Sequence, residues 1–183
     1  MATFAVFLRG INVGGVRIAM RDLQRVLTGA GFRNVTTLLA SGNVVLDAGT
    51  DDAGEVKEAV EAALREGFGY EAWVIVKTPG QVAAVIDGYP FVAPDDGVAR
   101  HAYTVLTTGA KTVREAVDAC PEPSPEERFQ GAGDVLYWEV PKGSTLDSNL
   151  AKQLGRARYK PLATTRNLNT MHKVLAECAS RAS

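Results

Sequence analysis

The chain has 183 residues, 46% of them hydrophobic and 22% charged, with a formal net charge of −1. That composition is ordinary for a soluble globular protein, and the length suits one large domain or two small ones. No apolar run reaches the roughly 18 residues of a membrane span, and two cysteines do not make a disulfide framework.

The N-terminus has no basic region before its first apolar run, so no signal peptide is expected. Thr3 to Leu8 is a short apolar run rich in aromatic and branched residues, the pattern of a buried strand. Arg9-Gly10-Ile11-Asn12-Val13-Gly14-Gly15 follows. The next helical pattern starts near Met20, so the connection is about ten residues, longer than the usual two to six. The first helix is predicted from Met20 to Ala30, with Met20, Leu23, Val26, Leu27 and Ala30 on one face and Gly31 as its stop. Asn34 to Leu39 and Val44 to Leu46 read as a hairpin through a Ser41-Gly42-Asn43 turn. Asp52 and Glu55 imitate a capping box. The helix they open buries Val56, Ala59, Val60, Ala63, Leu64 and Phe68, and Gly67 and Gly69 end it. Tyr70 to Lys77 is a fourth strand with Trp73 and Val74 at its centre. The order β-α-β-β-α-β is the split βαβ, or ferredoxin-like, unit.

Thr78-Pro79-Gly80-Gln81 is a strong helix start. A proline- and aspartate-rich loop from Pro90 to Gly97 then marks the boundary between lobes 1–90 and 98–183. The second lobe repeats the element order. His101 to Thr107 is a strand. Thr112 and Glu115 would cap a helix running through Cys120. Pro121-Glu122-Pro123-Ser124-Pro125 is a stiff connection. Arg128 to Gln130 and Val135 to Val140 form a hairpin, and a short helix spans about Ser148 to Leu154. The last helix is expected to start near Thr165, with Leu168, Met171, Val174, Leu175 and Cys178 inward. The fold class is therefore α+β, two ferredoxin-like halves from a degenerate duplication with a C-terminal helical extension. Both cysteines fall on apolar stripes, which fits buried free thiols in a reducing cytoplasm.

The glycine-rich loop comes close to two nucleotide motifs and fails both. Gly10 and Gly15 have the Walker A spacing, but Val16-Arg17 stands where Lys and Ser/Thr are required. The dinucleotide fingerprint needs another glycine spacing and an acid ending the second strand, where this chain has Leu39-Ala40-Ser41. Either a long structural turn or an anion nest of backbone amides remains open. In the split βαβ unit strands one and two are parallel with strand three between them. The loop after strand one and the Ser-Gly-Asn turn then lie at one end of the sheet.

Charge is unevenly spread. Residues 1–141 carry 12 Lys/Arg against 19 Asp/Glu, and residues 142–183 carry 8 against 2. An anionic partner for the basic part and a merely solvated surface explain this equally well. Arg156, Arg158, Lys160 and Arg166 crowd the approach to the expected last helix, where cations oppose the helix dipole unless an anion binds or acidic surface packs there.

Three motifs carry a family resemblance: Arg9-Gly10-Ile11-Asn12-Val13-Gly14-Gly15, Ser41-Gly42-Asn43-Val44-Val45, and Thr164-Thr165-Arg166-Asn167 followed by Asn169-Thr170. With them the chain resembles the bacterial domain-of-unknown-function family 1697 over almost its whole length. It departs from the family pattern at Leu168, where Trp is usual. The resemblance implies a two-lobed α+β protein and no settled activity. Its recurring motif residues, carried over as a candidate site, are Arg9, Asn12, Gly14, Gly15, Ser41, Asn43, Thr164, Thr165, Arg166 and Asn167.

The leading functional expectation is a binding module for a phosphate-bearing ligand, either a phosphorylated small molecule such as a nucleotide or a nucleic-acid backbone. An RNA-recognition-motif surface is excluded by residues, since Val44-Val45-Leu46-Asp47 lacks stacking aromatics. An enzyme acting at the same site is the second expectation. Neither His101 nor His172 has a sequence-evident partner, and Ser41 lies in no nucleophile elbow. A structural or protein-interaction domain is the third. No metal ligand set is expected, and the sequence names no cofactor.

Overall fold

A computed structural model describes residues 1–12, 16–92, 94–120, 122–124 and 126–181. Gly14 and Gly15 of the candidate site, and Pro121 and Pro125 of the expected stiff connection, lie outside these residues. The chain divides into two compact units: Met1–Ala84 joined by the segment from Met171 onward, and Val85–Thr170. The sequence expectation had put the boundary between residues 90 and 98 and the whole last helix in the second lobe.

In the first unit, β1 (Ala2–Leu8), α1 (Met20–Gly29), β2 (Arg33–Leu38), β3 (Asn43–Ala48), α2 (Ala53–Phe68) and β4 (Val74–Lys77) follow in the expected order. The sheet order is β2-β3-β1-β4. β1 and β2 each pair antiparallel with β3, so they run parallel to one another. Alternation puts Phe4, Val6 and Leu8 of β1 and Val44 and Leu46 of β3 on the helix-covered face. They share a core with Leu23 and Leu27 of α1 and Val56, Val60 and Leu64 of α2. Asp52 caps α2, accepting from the amides of Gly54 and Glu55 at 2.6 and 3.3 Å. Gly69, left-handed at φ 65°, closes it. Gly67 stays inside α2 instead of ending it. A Cβ there would sit 2.9 Å from Val26 of α1, so glycine lets the two helices approach closely.

The helix α3 (Pro79–Asp87) begins with a reciprocal capping box. The Thr78 amide donates to Gln81 Oε1 at 2.9 Å, and the Gln81 amide to Thr78 Oγ1 at 3.2 Å.

The second unit repeats the topology. β5 (Arg100–Thr107), α4 (Ala110–Asp118), β6 (Arg128–Ala132), β7 (Val135–Pro141), α5 (Asn149–Leu154) and β8 (Ala163–Asn167) form a sheet of order β6-β7-β5-β8. β8 corrects the expected helix start at Thr165. β-Branched Thr164 and Thr165 extend along β5, with Leu106 opposite Thr164 and Thr104 opposite Arg166. Two further corrections concern α4. Gly109 occupies its cap position, and buried Thr112 faces Thr108 Oγ1 at 3.3 Å. The helix ends at Asp118, so Cys120 lies beyond it. Tyr137 and Trp138 point to opposite faces as adjacent strand residues must, and both are buried. Trp138 Nε1 donates to Glu127 Oε1 at 2.9 Å, and the Ser148 hydroxyl, which also caps α5, donates to the same oxygen. The Ser124 amide donates to Glu127 Oε2 at 2.9 Å. A buried carboxylate held by three neutral donors thus joins the connection before β6 to β7 and α5.

The last helix, α6 (Leu168–Ala179), starts in the second unit and continues in the first. Its end is fixed by Arg181, whose guanidinium donates to Thr36 Oγ1 at 2.8 Å and Val45 O at 3.0 Å, and pairs with Glu177 at 3.0 Å and Asp47 at 3.5 Å. Asp47 also accepts from Thr3 Oγ1 at 2.8 Å and Asn34 Nδ2 at 2.7 Å. Burial pushes the Asp47 carboxyl up, but the bonds from Asn34 and Thr3 and the charge of Arg181 outweigh it, so the net direction is down.

Arg181→Ala is expected to lower stability by about 2–3 kcal/mol in urea titration, the scale of a lost charged hydrogen-bond set. Faster amide exchange should follow in residues 174–181. Because the folded-state value of Asp47 lies below its unfolded one, its contribution is present above about pH 3.9 and is lost as pH falls through the folded value. Asp47→Asn should remove that part of the acid limb of a stability–pH curve. The Tyr70 hydroxyl is buried with no hydrogen-bond partner among the described residues, and burial pushes its pKa up to about 12. Tyr70→Phe removes that unsatisfied group and should raise stability by about 1 kcal/mol.

Candidate functional site

At the C-terminal end of β1 the ladder continues into the loop. The Leu8 amide donates to Gly42 O at 2.8 Å, tying the strand to the β2–β3 turn, and the Arg9 amide donates to Trp73 O at 3.1 Å. The turn itself runs through Leu39, Ala40 and Ser41 into Gly42. Gly42 has φ 76°, and a Cβ there would meet Ile11 Cδ1 at 2.6 Å and Leu8 Cβ at 2.9 Å. Only glycine allows buried Ile11 to close over the turn.

Beyond Ile11 the chain folds back. The Asn12 amide donates to Val16 O at 2.7 Å. Asn12 is left-handed at φ 56°, a conformation asparagine tolerates better than most residues. Its side-chain nitrogen donates to Ile18 O at 3.1 Å and Ala40 O at 2.8 Å, and its side-chain oxygen accepts from the Ile18 amide at 3.0 Å. One carboxamide therefore closes the loop on itself and ties it to the turn. Asn43 does comparable work from inside. Fully buried, it donates to Leu38 O at 2.8 Å and Ser41 Oγ at 3.1 Å.

Arg9, Asn12, Ser41 and Asn43 gather at this end of the first sheet, as the topology implied. Asn12 and Asn43 hold the backbone, Ser41 lies exposed on the turn, and Arg9 is half-buried. Burial pushes the Arg9 pKa down. A guanidinium keeps its charge at neutral pH under such a shift.

The other four described candidates belong to the second unit. Thr164, Thr165, Arg166 and Asn167 line β8 instead of a helix start. Buried Arg166 donates from Nη1 to Thr164 Oγ1 and Thr165 O, both at 2.8 Å. Asn167 Oδ1 accepts from the Asn169 amide at 2.9 Å, where α6 begins. Arg156, Arg158 and Lys160 are exposed ahead of a strand, so the argument from helix-dipole repulsion lapses. Arg158 stacks on Tyr159 with its guanidinium carbon 4.8 Å from the ring centroid.

Trp73 was read as the centre of a strand. It lies just before β4, half-buried, opposite Arg9. The only signal available to sequence reasoning was that register, which a one-residue shift in strand start conceals.

Among the described residues no group of three or more His, Cys, Asp and Glu is arranged to hold a metal. No helix among them is long and apolar enough to cross a membrane. Cys120 and Cys178 are free and buried. Burial pushes both thiols up, Cys178 to about 11, so neither is an activated nucleophile.

A family profile described as "Protein of unknown function (DUF1697)" matches residues 1–137. The chain belongs to this family. Among solved structures, the conserved bacterial protein SP0830 from Streptococcus pneumoniae is 20% identical, with 98% of this chain and 99% of that chain covered and a TM-score of 0.76. The two share the fold. An unknown protein from Galdieria sulphuraria is 11% identical over 98% of this chain and 90% of that one, with a TM-score of 0.28. No curated protein matches.

Asn12→Gly keeps the left-handed backbone but deletes the three side-chain bonds. It should accelerate amide exchange in residues 10–12, 16–18 and 39–42 while the helix cores stay protected. Gly42→Ala adds both the clash and the φ strain and should cost about 1–3 kcal/mol in urea titration.

Proposed function

We propose that this protein binds a phosphate-bearing ligand at the end of its first sheet, beside Arg9 and the loop that follows it. The observation that carries the reading is the investment of Asn12. A left-handed residue spends its whole carboxamide on fixing a surface loop directly after a half-buried cation. Backbone held in advance, as at Asn12, Ile18 and Ala40, loses little conformational freedom on binding. A cation partly withdrawn from water interacts with anionic oxygens more strongly than an exposed one.

The reading is confined to the first unit. In the second unit, Arg166 donates to Thr164 Oγ1 and to the Thr165 carbonyl within β8, and this reading does not use them. An enzyme at the same position is the second reading, and the described residues of this sheet end offer it Ser41 but no neighbouring histidine. The two free thiols suit the reducing cytoplasm that we infer as its compartment.

Thermal shift at low salt with inorganic phosphate and pyrophosphate tests the site. At 100 times its dissociation constant a ligand adds roughly 2.7 kcal/mol. Wild type and Arg158→Ala, altered in the second unit, should respond alike, and Arg9→Gln should lose the response. A full response from Arg9→Gln would sink the proposal.

A further inference from the structure

We propose that the ligand is a nucleotide whose base stacks on Trp73 while its phosphate meets Arg9. This rests on the anion-binding reading above and adds the chemical class of the ligand. The register carries it. Phe7 pairs with Ile75 and Leu8 with Val74. The bond from the Arg9 amide to Trp73 O extends the same ladder by one step. Side chains alternate between faces, so Leu8 and Val74 enter the helix-side core while Arg9 and Trp73 emerge together on the opposite face. Directly opposed residues bring their Cβ atoms to within about 5 Å.

Behind this pair on the same face, Phe7 is completely buried and Ile75 is 8% exposed. Arg9 and Trp73, both half-buried, therefore form the rim of that face next to the clamped loop. The register sets a tryptophan opposite an arginine, one flat apolar surface and one cation. A nucleotide has the complementary pair, a flat base and a phosphate. Base stacking on an aromatic tolerates any base, so no base is assigned.

The chain has two tryptophans. Trp138 is 3% exposed and hydrogen-bonded to Glu127, so ligand-induced fluorescence quenching reports Trp73. The experiment titrates the full chain with ATP, tripolyphosphate and a single-stranded hexanucleotide, using wild type, Trp73→Phe and Trp73→Ala, each checked for folding by circular dichroism. ATP should bind at least about tenfold more tightly than tripolyphosphate and should quench where tripolyphosphate does not. Trp73→Ala should reduce ATP binding to the level of tripolyphosphate, and Trp73→Phe should keep most of the advantage. Equal binding of ATP and tripolyphosphate, unchanged in Trp73→Ala, overturns the inference and leaves the anion site standing. No binding of either overturns both. A hexanucleotide more than tenfold tighter than ATP overturns the free nucleotide and gives the stacking surface to nucleic acid.

Discussion

The position of β1 in the first sheet sets everything functional about the unit. It is flanked by β3 and β4, and its register against both is fixed by a face that must be buried. A slip of one residue would turn Phe4, Val6 and Leu8 out of the helix-side core. The same register brings Leu8 to Gly42 and Arg9 to Trp73, so the strand's packing requirement also decides which groups meet at its end. The loop after β1 is then free of any duty to place the strand, and Asn12 can be devoted to the loop's shape.

Much of the architecture was legible because period-two and helical-period patterns alternate cleanly through the first 77 residues. The capping chemistry at Asp52 and at Thr78 and Gln81 was local and equally readable. β8 was not. Its five residues end against the apolar stripe of α6, and a threonine pair ahead of such a stripe also fits a helix cap. The strand exists because β5 offers an edge to pair with, which is tertiary information. Thr112 failed as a cap for a related reason: the chain turns three residues earlier, at Gly109. At the candidate site the sequence could say that Arg9, Asn12, Ser41 and Asn43 meet. It could not say that Asn12 reaches Ala40 across 28 positions, or that Asn43 is fully buried, because those facts depend on how the turn folds over the loop.

The two units share a topology but satisfy their polar groups differently. The first concentrates side-chain amides at the end of its sheet. The second buries charge within its own fabric: Glu139 accepts from Arg128 Nε at 2.9 Å and from the Tyr89 hydroxyl at 2.8 Å, while Glu127 accepts from neutral donors among the described residues. Breaking such networks leaves an uncompensated buried charge, so they constrain the second unit to one arrangement more than they add to its stability.

The return of α6 to the first unit makes that unit discontinuous in sequence. Residues 85–170 are, in topological terms, an insertion within it. During synthesis the first sheet and its two helices emerge early, but the arginine that ties Thr36, Val45 and Asp47 together follows the whole second unit. Closure of the unit therefore waits for residues 85–170 and joins segments more than 130 positions apart. Chains generally fold domain by domain from the N-terminus as they emerge. Here the contacts of Arg181 with Thr36, Val45 and Asp47 can form only after residues 85–170 have been made.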